Sequence, residues 1–129
     1  MKKYIILFLT AFFAVNVTFA QDKSNSPKIT FSYLEYNYGN IAQNSDGTCH
    51  FYYKNVGTAP LVLNSVTTSC GCTTPEWSKK PLLPGKIGKI KVKYNTSQLG
   101  EFRKIICVKS NAVNKNPVIL RIQGKVVKQ

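Results

Sequence analysis

Hydrophobic and polar residues alternate with a period of two along most of this chain. Ile29, Phe31 and Tyr33, for example, are separated by Thr30 and Ser32. The other runs have their apolar positions at Cys49, Phe51 and Tyr53; Leu61 and Leu63; Ile90, Val92 and Tyr94; Phe102, Ile106 and Val108; and Val118, Leu120 and Ile122. Short runs with this period are typical of β-strands that have one buried face.

Turn-forming residues separate these runs. They occupy residues 45–47, 55–57, 84–85, 98–100 and 114–117, where glycine, proline, asparagine and aspartate favour tight turns. Six or seven short strands at this spacing, without a helical stretch of credible length, are typical of a two-sheet sandwich. The pattern therefore predicts an all-β fold, an immunoglobulin-like antiparallel β-sandwich of about seven strands.

The N-terminus has the pattern of an export signal. Lys2 and Lys3 precede a mostly apolar run at residues 5–15, and the small residue Ala20 ends the segment. The run is interrupted by polar residues and is shorter than the ~20 apolar residues that a membrane span needs. We therefore expect a signal peptide at residues 1–20 that is removed by cleavage.

The part of the chain after the signal, 109 residues, has the size of one domain. Residues 21–27 are polar and are expected to form a flexible lead, and residues 28–129 are expected to form the immunoglobulin-like domain. Such a protein is exported, and we expect it in the periplasm or the extracellular space, with no membrane span after signal removal.

The chain is strongly basic. The formal net charge is +13, and removal of Lys2 and Lys3 with the signal lowers it to +11. A charge of this size attracts anions, and export argues against nucleic acid, so the expected partner is a protein or an anionic envelope component. An alternative needs no partner: Lys89, Lys91 and Lys93 lie on the solvent side of one strand, where lysines keep a sheet from pairing with another chain.

The sequence lacks a recognisable catalytic constellation. The acidic residues after the signal are Asp22, Glu35, Asp46, Glu76 and Glu101. No two of them form a recognisable acid/base pair, and His50 is a lone histidine on a predicted strand. A glycine-rich phosphate loop is also absent from the sequence. We therefore predict a non-enzymatic protein with no catalytic residues and no cofactor.

The order of several short motifs resembles a known bacterial family. The motifs are Gly39-Asn40-Ile41; Phe51, Tyr53, Asn55 and Gly57; Pro60-Leu61; Ser69-Cys70-Gly71-Cys72-Thr73 followed by Trp77; Pro84-Gly85; Ile90, Val92 and Tyr94; and Ser110-Asn111. In this order they look like the proteins grouped as DUF1573, from about Ile29 to Val126. The resemblance implies an immunoglobulin-like fold and a location outside the cytoplasm, but no particular function. The family pattern has an apolar residue at the position of Cys49 and a threonine at that of Cys107.

Cys70 and Cys72 are the most conspicuous pair of residues, because thiols in an exported chain end as disulfides, metal ligands or redox groups. In an extended strand their Cα atoms would lie ~6.6 Å apart, near the upper limit of ~6.8 Å for a disulfide. A bridge therefore requires a bend at Gly71, which glycine permits. A bridge between Cys49 and Cys107 is disfavoured, because strand parity places Cys49 inward, as a buried thiol, and Cys107 outward.

A metal is the alternative use of the pair. Cys70 and Cys72 form the candidate metal site, since two thiolates on one side of a bend suit Cu(I). Zinc requires four ligands, and the single histidine, His50, points to the opposite face from Cys49. Met1 is the only methionine, so the exported part has no thioether ligand. Disulfide or structural use is therefore preferred over metal use.

These observations lead to two hypotheses. The first is an exported non-enzymatic module with an interaction or structural role in the bacterial cell envelope, in which Trp77 either plugs one end of the sandwich or binds a sugar. The second is a thiol site at Cys70 and Cys72 for Cu(I) handling or disulfide exchange. The oxidation state of the two sulfurs separates these hypotheses.

Overall fold

The computed structural model describes residues 25–129, which fold into eight β-strands without a helix. The strands are β1 (Ile29–Phe31), β2 (Glu35–Ala42), β3 (Thr48–Asn55), β4 (Leu63–Thr68), β5 (Thr73–Glu76), β6 (Ile87–Tyr94), β7 (Gly100–Ser110) and β8 (Val118–Val127). Within this part of the chain there is no helix with the length and apolar character of a membrane span. The predicted signal peptide, residues 1–20, lies outside the described residues.

The eight strands form two sheets of four. The first sheet has the order β1-β3-β6-β5, and the second sheet has the order β2-β8-β7-β4. The predicted all-β sandwich is therefore confirmed, with eight strands instead of about seven. Paired strands are antiparallel with one exception, because β2 runs parallel to β8. These two strands are far apart in sequence, so no hairpin constrains their relative direction.

The core lies between the inward faces of the two sheets. Alternate residues of β3 and β6 are buried, as the period of two predicted. Tyr94 on β6 stacks against Phe102 on β7 with ring centroids 3.8 Å apart, so this pair joins the sheets. The fully buried apolar side chains include Ile29, Phe51, Leu61, Leu63, Ile90, Ile106, Leu120 and Ile122. Since each such side chain contributes roughly 1.5–3 kcal/mol, burial between the sheets stabilises the fold.

The turn after β3 is organised by a fully buried asparagine. Asn55 Nδ2 donates hydrogen bonds to the carbonyls of Ala59 and Leu82, both at 2.8 Å. Asn55 Oδ1 accepts a hydrogen bond from the amide of Gly57 at 2.9 Å. Both ends of the side-chain amide are thus satisfied, as burial of a polar group requires. The network ties the turn at residues 55–57 to the segment that precedes β6.

Residues 26 and 27 are attached to the domain. The carbonyl of Ser26 accepts the amide of Thr58 at 2.8 Å, and the carbonyl of Pro27 accepts the amide of Val113 at 3.0 Å. A Cβ at Gly57 would clash with the carbonyl oxygen of Ser26, so this close approach requires glycine. Hydrogen bonds thus hold the last two residues of the expected lead, residues 21–27, against the domain.

Candidate functional site

The two central cysteines lie in the turn between β4 and β5. Cys70 and Cys72 are joined by a disulfide, and their Cα atoms are 5.2 Å apart. This distance is shorter than the ~6.6 Å of an extended strand, so the chain bends at Gly71, as a bridge requires. The amide of Thr73 donates a hydrogen bond to the carbonyl of Cys70 at 3.2 Å and closes the bend. Cys70 and Cys72 are thus in the oxidised, disulfide-bonded state in this structure.

The bend does not depend on glycine. Gly71 has a φ outside the left-handed region, and a Cβ built on it would meet no atom within 4 Å among the described residues. The bend that the sequence predicted at Gly71 is therefore present, but it does not use the additional conformational freedom of glycine. A residue with a side chain fits the same backbone.

Hydrogen bonds to main-chain carbonyls hold the cysteine turn from both sides. The hydroxyl of Thr68, at the end of β4, lies 3.0 Å from the carbonyl oxygen of Cys70 and 3.2 Å from that of Thr73. The amide of Asn95 donates to the carbonyl of Cys72 at 2.8 Å, which continues the pairing of β5 with β6. The turn is therefore fixed by contacts that do not involve the bond between the sulfurs.

The cysteine pair has few potential metal ligands around it. Among residues 25–129, histidine, cysteine, aspartate and glutamate side chains do not form any group of three or more that could hold a metal ion. His50 lies on the outer face of the first sheet, with its ring centroid 6.1 Å from that of Tyr52. Within the described residues, the candidate metal site of the sequence therefore has no ligands besides Cys70 and Cys72.

The other two cysteines are free thiols in different environments. Cys49 is buried in the core, whereas Cys107 is half-buried on the outer face of the second sheet. Strand parity predicted this difference, which is confirmed. Burial raises the pKa of the Cys49 thiol. Cys49 is therefore a neutral part of the core at physiological pH.

The three lysines of β6 do not lie on an edge strand. β6 pairs with β3 on one side and with β5 on the other. Lys91 and Lys93 have paired strands on both sides, so the alternative drawn from the sequence, protection of a sheet edge, is wrong for these two. Lys89 lies just beyond the end of β5. All three point outward, because Ile90 and Val92 between them are fully buried.

These lysines form a basic surface on the first sheet, called here the lysine face. It comprises Lys54, Lys89, Lys91 and Lys93, together with the aromatic residues Tyr52 and His50. The pairing of β3 with β6 places Tyr52 opposite Lys89 and His50 opposite Lys91. Because Tyr52 is 41% exposed, the lysine face combines positive charge with an accessible aromatic ring.

Acidic side chains border the lysine face at β5 and at the turn before β3. Glu76 pairs with Lys91 across β5 and β6. The pKa of Asp46 is lowered, mainly by hydrogen bonds from Thr48, whose amide donates at 3.0 Å, and further by the charges of Lys93 and Lys91. The positive field of the lysine face therefore extends to this turn.

A groove opens beside the lysine face where β5 ends, and we call it the Trp77 groove. Its volume is about 450 Å³. Tyr53, Trp77 and Leu82 give it apolar walls, and Lys89 and Lys91 also line it. The sequence did not predict this groove, because it arises from the different lengths of β5 and β6, which no local pattern shows.

Trp77 itself belongs both to the core and to the groove. Its ring packs against the core, as the plug suggested by the sequence would, and Lys79 Nζ lies 5.9 Å from the ring centroid. The indole Nε1 is buried and has no hydrogen-bond acceptor in the described part of the chain. An unpaired buried donor costs about 1–3 kcal/mol, so an added acceptor at this position would stabilise the protein.

Several solved structures have a similar fold at low sequence identity. A protein of unknown function from Porphyromonas gingivalis W83 has a TM-score of 0.72 and 16% identity, over 83% of this chain and 50% of the other. PapD-like domain 7 of human CEP192 has a TM-score of 0.69 and 9% identity, over 93% of this chain and 99% of that domain. The YadV chaperone has a TM-score of 0.58 and 13% identity, over 77% of this chain and 52% of the chaperone. At such identities the likeness shows the fold alone, and this chain spans half the length of the P. gingivalis protein.

A comparison with curated proteins gave no match. The sequence model of DUF1573, described as a protein family of unknown function, matches residues 29–126. The match covers most of the chain and confirms the resemblance that the sequence motifs indicated. The chain therefore belongs to the DUF1573 family.

Proposed function

We propose that the protein is an exported, non-enzymatic interaction module of the bacterial cell envelope, and that the lysine face binds an acidic partner. The observation that carries this proposal is the position of the lysines. Lys91 and Lys93 lie on a stretch of β6 that is paired on both sides, so their charges are not needed to prevent edge pairing. A concentrated positive charge at this place attracts anions, which supports binding of an acidic partner.

The lysine face concentrates positive charge on a small area of rigid sheet. Residues two apart on a strand lie ~6.6–6.8 Å apart, and neighbouring strands lie ~4.8 Å apart. These spacings are shorter than the Debye length of ~8 Å at physiological ionic strength, so the fields of neighbouring lysines add. With the ring of Tyr52 exposed among them, the surface suits an extended anionic chain.

The outer face of the second sheet provides an internal comparison. It also carries basic side chains, among them Arg103, Lys109 and Arg121, but Glu35 and Glu101 lie on the same face. Glu35 pairs directly with Arg121 across β2 and β8. Positive charge on this face is therefore partly balanced, as Glu76 and Asp46 partly balance it on the lysine face. The two faces carry similar charge, so the second sheet is a control for the position of the charges.

Two further observations support export and a non-enzymatic role. Disulfides persist in oxidising compartments outside the cytoplasm, which agrees with the export signal expected at residues 1–20. Glu35 and Glu101 lie on the second sheet, on the opposite side of the sandwich from His50. Glu35 and Glu101 are therefore too far from His50 to act together with it, whereas Glu76 lies on the same face as His50, two strands away.

Binding to poly-L-glutamate tests the proposed surface. The variant that combines K54Q, K89Q, K91Q and K93Q removes four charges from the lysine face, and the control that combines R103Q, K109Q, R121Q and K125Q removes four from the second sheet. We expect the first variant to bind at least tenfold more weakly and the control to stay within threefold of the wild type. Equal losses would show that net charge alone drives binding and would contradict the proposal.

The cysteine pair supports a second candidate function, thiol–disulfide exchange. Cys70 and Cys72 are half-buried and Gly71 between them is exposed, so the bridge is within reach of an attacking thiolate. Cu(I) handling would need the reduced pair, and the two thiolates would be its ligands. Exchange predicts a mixture of reduced and oxidised pairs in the cell, whereas a structural bridge predicts full oxidation.

Alkylation of protein taken from its own compartment separates the two candidates. For a structural bridge we expect two labelled thiols after denaturation without reductant, those of Cys49 and Cys107, and four after reduction. A substantial population with four labels before reduction would favour exchange. The same intact-mass measurement on periplasmic and membrane fractions tests export, because the processed chain is expected to begin at Gln21. Uncleaved chain in washed membranes would contradict that expectation.

A further inference from the structure

β6 is longer than its neighbour β5, and this difference leaves part of its edge unpaired. β5 pairs with residues 91–94 of β6, whereas β6 begins at Ile87. The pairing of β3 with β6 continues to Ile87 on the other side. Residues 87–89 therefore have a paired strand on one side only.

Hydrogen bonds near the end of β6 show which main-chain groups face the unpaired side. The amide of Asn95 donates to the carbonyl of Cys72 at 2.8 Å, toward β5, and the amide of Tyr94 donates to the carbonyl of Gly47 at 2.9 Å, toward β3. Successive residues of a strand alternate in this direction. The odd-numbered residues of β6 therefore face β5, and the amide and carbonyl of Lys89 point past its end.

These two groups of Lys89 have no hydrogen-bond partner among the described residues. After Glu76 the chain leaves β6, and Leu82 instead exchanges hydrogen bonds of 2.9 and 2.8 Å with Leu61. The space between the departing chain and the open edge of β6 is the Trp77 groove. An unpaired strand edge thus forms one side of a groove with apolar walls.

Elsewhere on the first sheet, one position on each edge strand is blocked. On β1, the side chain of Asn114 accepts a hydrogen bond from the amide of Ile29 and donates one to its carbonyl, both at 2.9 Å. On β5, Pro75 has no amide hydrogen, and its place in the register is one where the nitrogen points away from β6. Proteins usually block their sheet edges in such ways. The open edge at Lys89 differs from both.

We propose that the open edge of β6 and the Trp77 groove bind an extended acidic segment of a partner polypeptide. The segment adds a strand antiparallel to β6, in line with β5, and forms main-chain hydrogen bonds with Lys89, as in other cases of strand addition. The inference rests on the proposed function, because it assigns the acidic partner of the lysine face to one class, a polypeptide.

Alternation along the added strand determines which side chains the segment needs. Side chains on the outer face lie next to Lys89, where opposite charges across paired strands are favourable, whereas Lys91 already has Glu76 opposite it on β5. Side chains on the inner face enter the groove between Tyr53, Trp77 and Leu82, where apolar groups are favourable. The segment therefore alternates acidic and apolar residues.

Two features of the groove suit an added strand. A Cβ at Gly88 would lie 2.6 Å from Cζ of Tyr53, so glycine allows the Tyr53 ring to lie against β6 at the groove. Trp77 Nε1 is a buried donor without an acceptor in residues 25–129, and a carbonyl oxygen of the added segment is an acceptor of the kind it lacks.

Charge argues against a second copy of this chain as the source of the strand. The sequence has 18 lysines and arginines but only 5 aspartates and glutamates. A second copy therefore brings positive charge to the lysine face. Lys89 at the open edge repels basic strands and favours acidic ones, which gives selectivity for the partner.

The test uses the mature chain and three synthetic peptides of seven residues. The parent peptide alternates glutamate and valine. The second peptide carries N-methyl groups on its glutamates and the third on its valines, so charge and side chains are unchanged. In an antiparallel strand in line with β5, the outward-facing glutamates present their amides to β6 and the valines present theirs to solvent, as Glu76 and Pro75 do on β5.

We expect the parent and the valine-methylated peptides to bind with affinities within threefold in titration calorimetry. The glutamate-methylated peptide is expected to bind at least tenfold more weakly. Equal affinities of the three peptides, no binding of the parent, or tighter binding of polygalacturonate than of poly-L-glutamate would overturn the inference. In each of these cases, a selective loss of poly-L-glutamate binding in the lysine-face variant would leave the proposed function intact.

Discussion

The cysteine turn between β4 and β5 and the strand β6 differ in how clearly the sequence indicates their roles and in the contacts that form them. The Cys70-Gly71-Cys72 motif is conspicuous, yet hydrogen bonds involving Thr68 and Asn95 fix its turn. β6 has the pattern of an ordinary amphipathic strand, yet it carries most of the lysine face and an open edge. The comparison teaches that an unusual motif can mark a turn fixed by hydrogen bonds, while a difference in strand length leaves part of a strand edge unpaired beside a groove.

The largest effect is expected from proline on the paired side of β6. Ile90→Pro removes an amide that faces β3 and replaces a fully buried side chain. Proline inside a sheet removes a ladder hydrogen bond and leaves a buried carbonyl unpaired, which costs about 1–3 kcal/mol. The smaller side chain leaves a cavity that costs roughly 1 kcal/mol further. Lys89→Pro removes an amide that faces the open groove, so we expect a loss of only about 1 kcal/mol.

Circular dichroism and chemical denaturation of the two proline variants measure this contrast. Lys89→Ala is the matched control, because it removes the lysine side chain and keeps the amide. Similar losses of unfolding free energy at positions 89 and 90 would contradict the open edge.

A smaller effect is expected at the cysteine turn. Replacement of Cys70 and Cys72 by serine removes a bridge with a sequence separation of 2, and the loop-entropy model gives about 1.6 kcal/mol for so short a loop. The hydrogen bonds of Thr68 and Asn95 do not need the bridge, so we expect the free energy of unfolding to fall by at most this amount in urea denaturation.

The same double variant tests the metal hypothesis. We expect the reduced wild-type domain to take up no stoichiometric Cu(I) in competition with a strong chelator. Uptake of one Cu(I) per reduced domain, abolished in the double serine variant, would favour a metal site at Cys70 and Cys72 over a structural bridge.

The smallest effect is expected at Gly71. Alanine fits there without a contact among the described residues. We therefore expect Gly71→Ala to leave the free energy of unfolding unchanged or to raise it by about 0.4–1 kcal/mol, and the melting temperature to follow. Gly57→Ala is the matched control, because its Cβ clashes with the Ser26 carbonyl oxygen and should cost roughly 1–3 kcal/mol. Equal melting temperatures of the two variants would refute the contrast.

The sequence predicted those strands in which alternation is unbroken. β3, β6, β7 and β8 follow the period of two and build the core. β2 was missed because Gly39 has a left-handed φ of 67° and the register shifts between Asn37 and Asn40, which breaks the alternation. β5 was missed because it has four residues and contains Pro75. Its position at a sheet edge, which tolerates proline, is set by tertiary structure.

In the candidate site, too, the features set by local sequence were predicted and those set by tertiary structure were missed. The inward position of Cys49 and the outward position of Cys107 follow from strand parity, which is local and was predicted. The chemistry of Cys70, Cys72 and the lysines was also visible in the sequence. The Trp77 groove was not, because it depends on where β5 ends and where the chain leaves β6, and these are set by packing between distant segments.

Amide hydrogen exchange along β6 tests the central claim most directly, namely that the lysine face borders an edge that is open to strand addition. In the free protein, the amide of Lys89 is predicted to exchange as an exposed amide does, whereas the amides of Gly88 and Ile90 are protected by pairing with β3. Addition of the glutamate–valine peptide is predicted to slow exchange at Lys89 at least tenfold. Equal protection of the three amides in the free protein, or unchanged exchange at Lys89 with the peptide bound, would contradict this account.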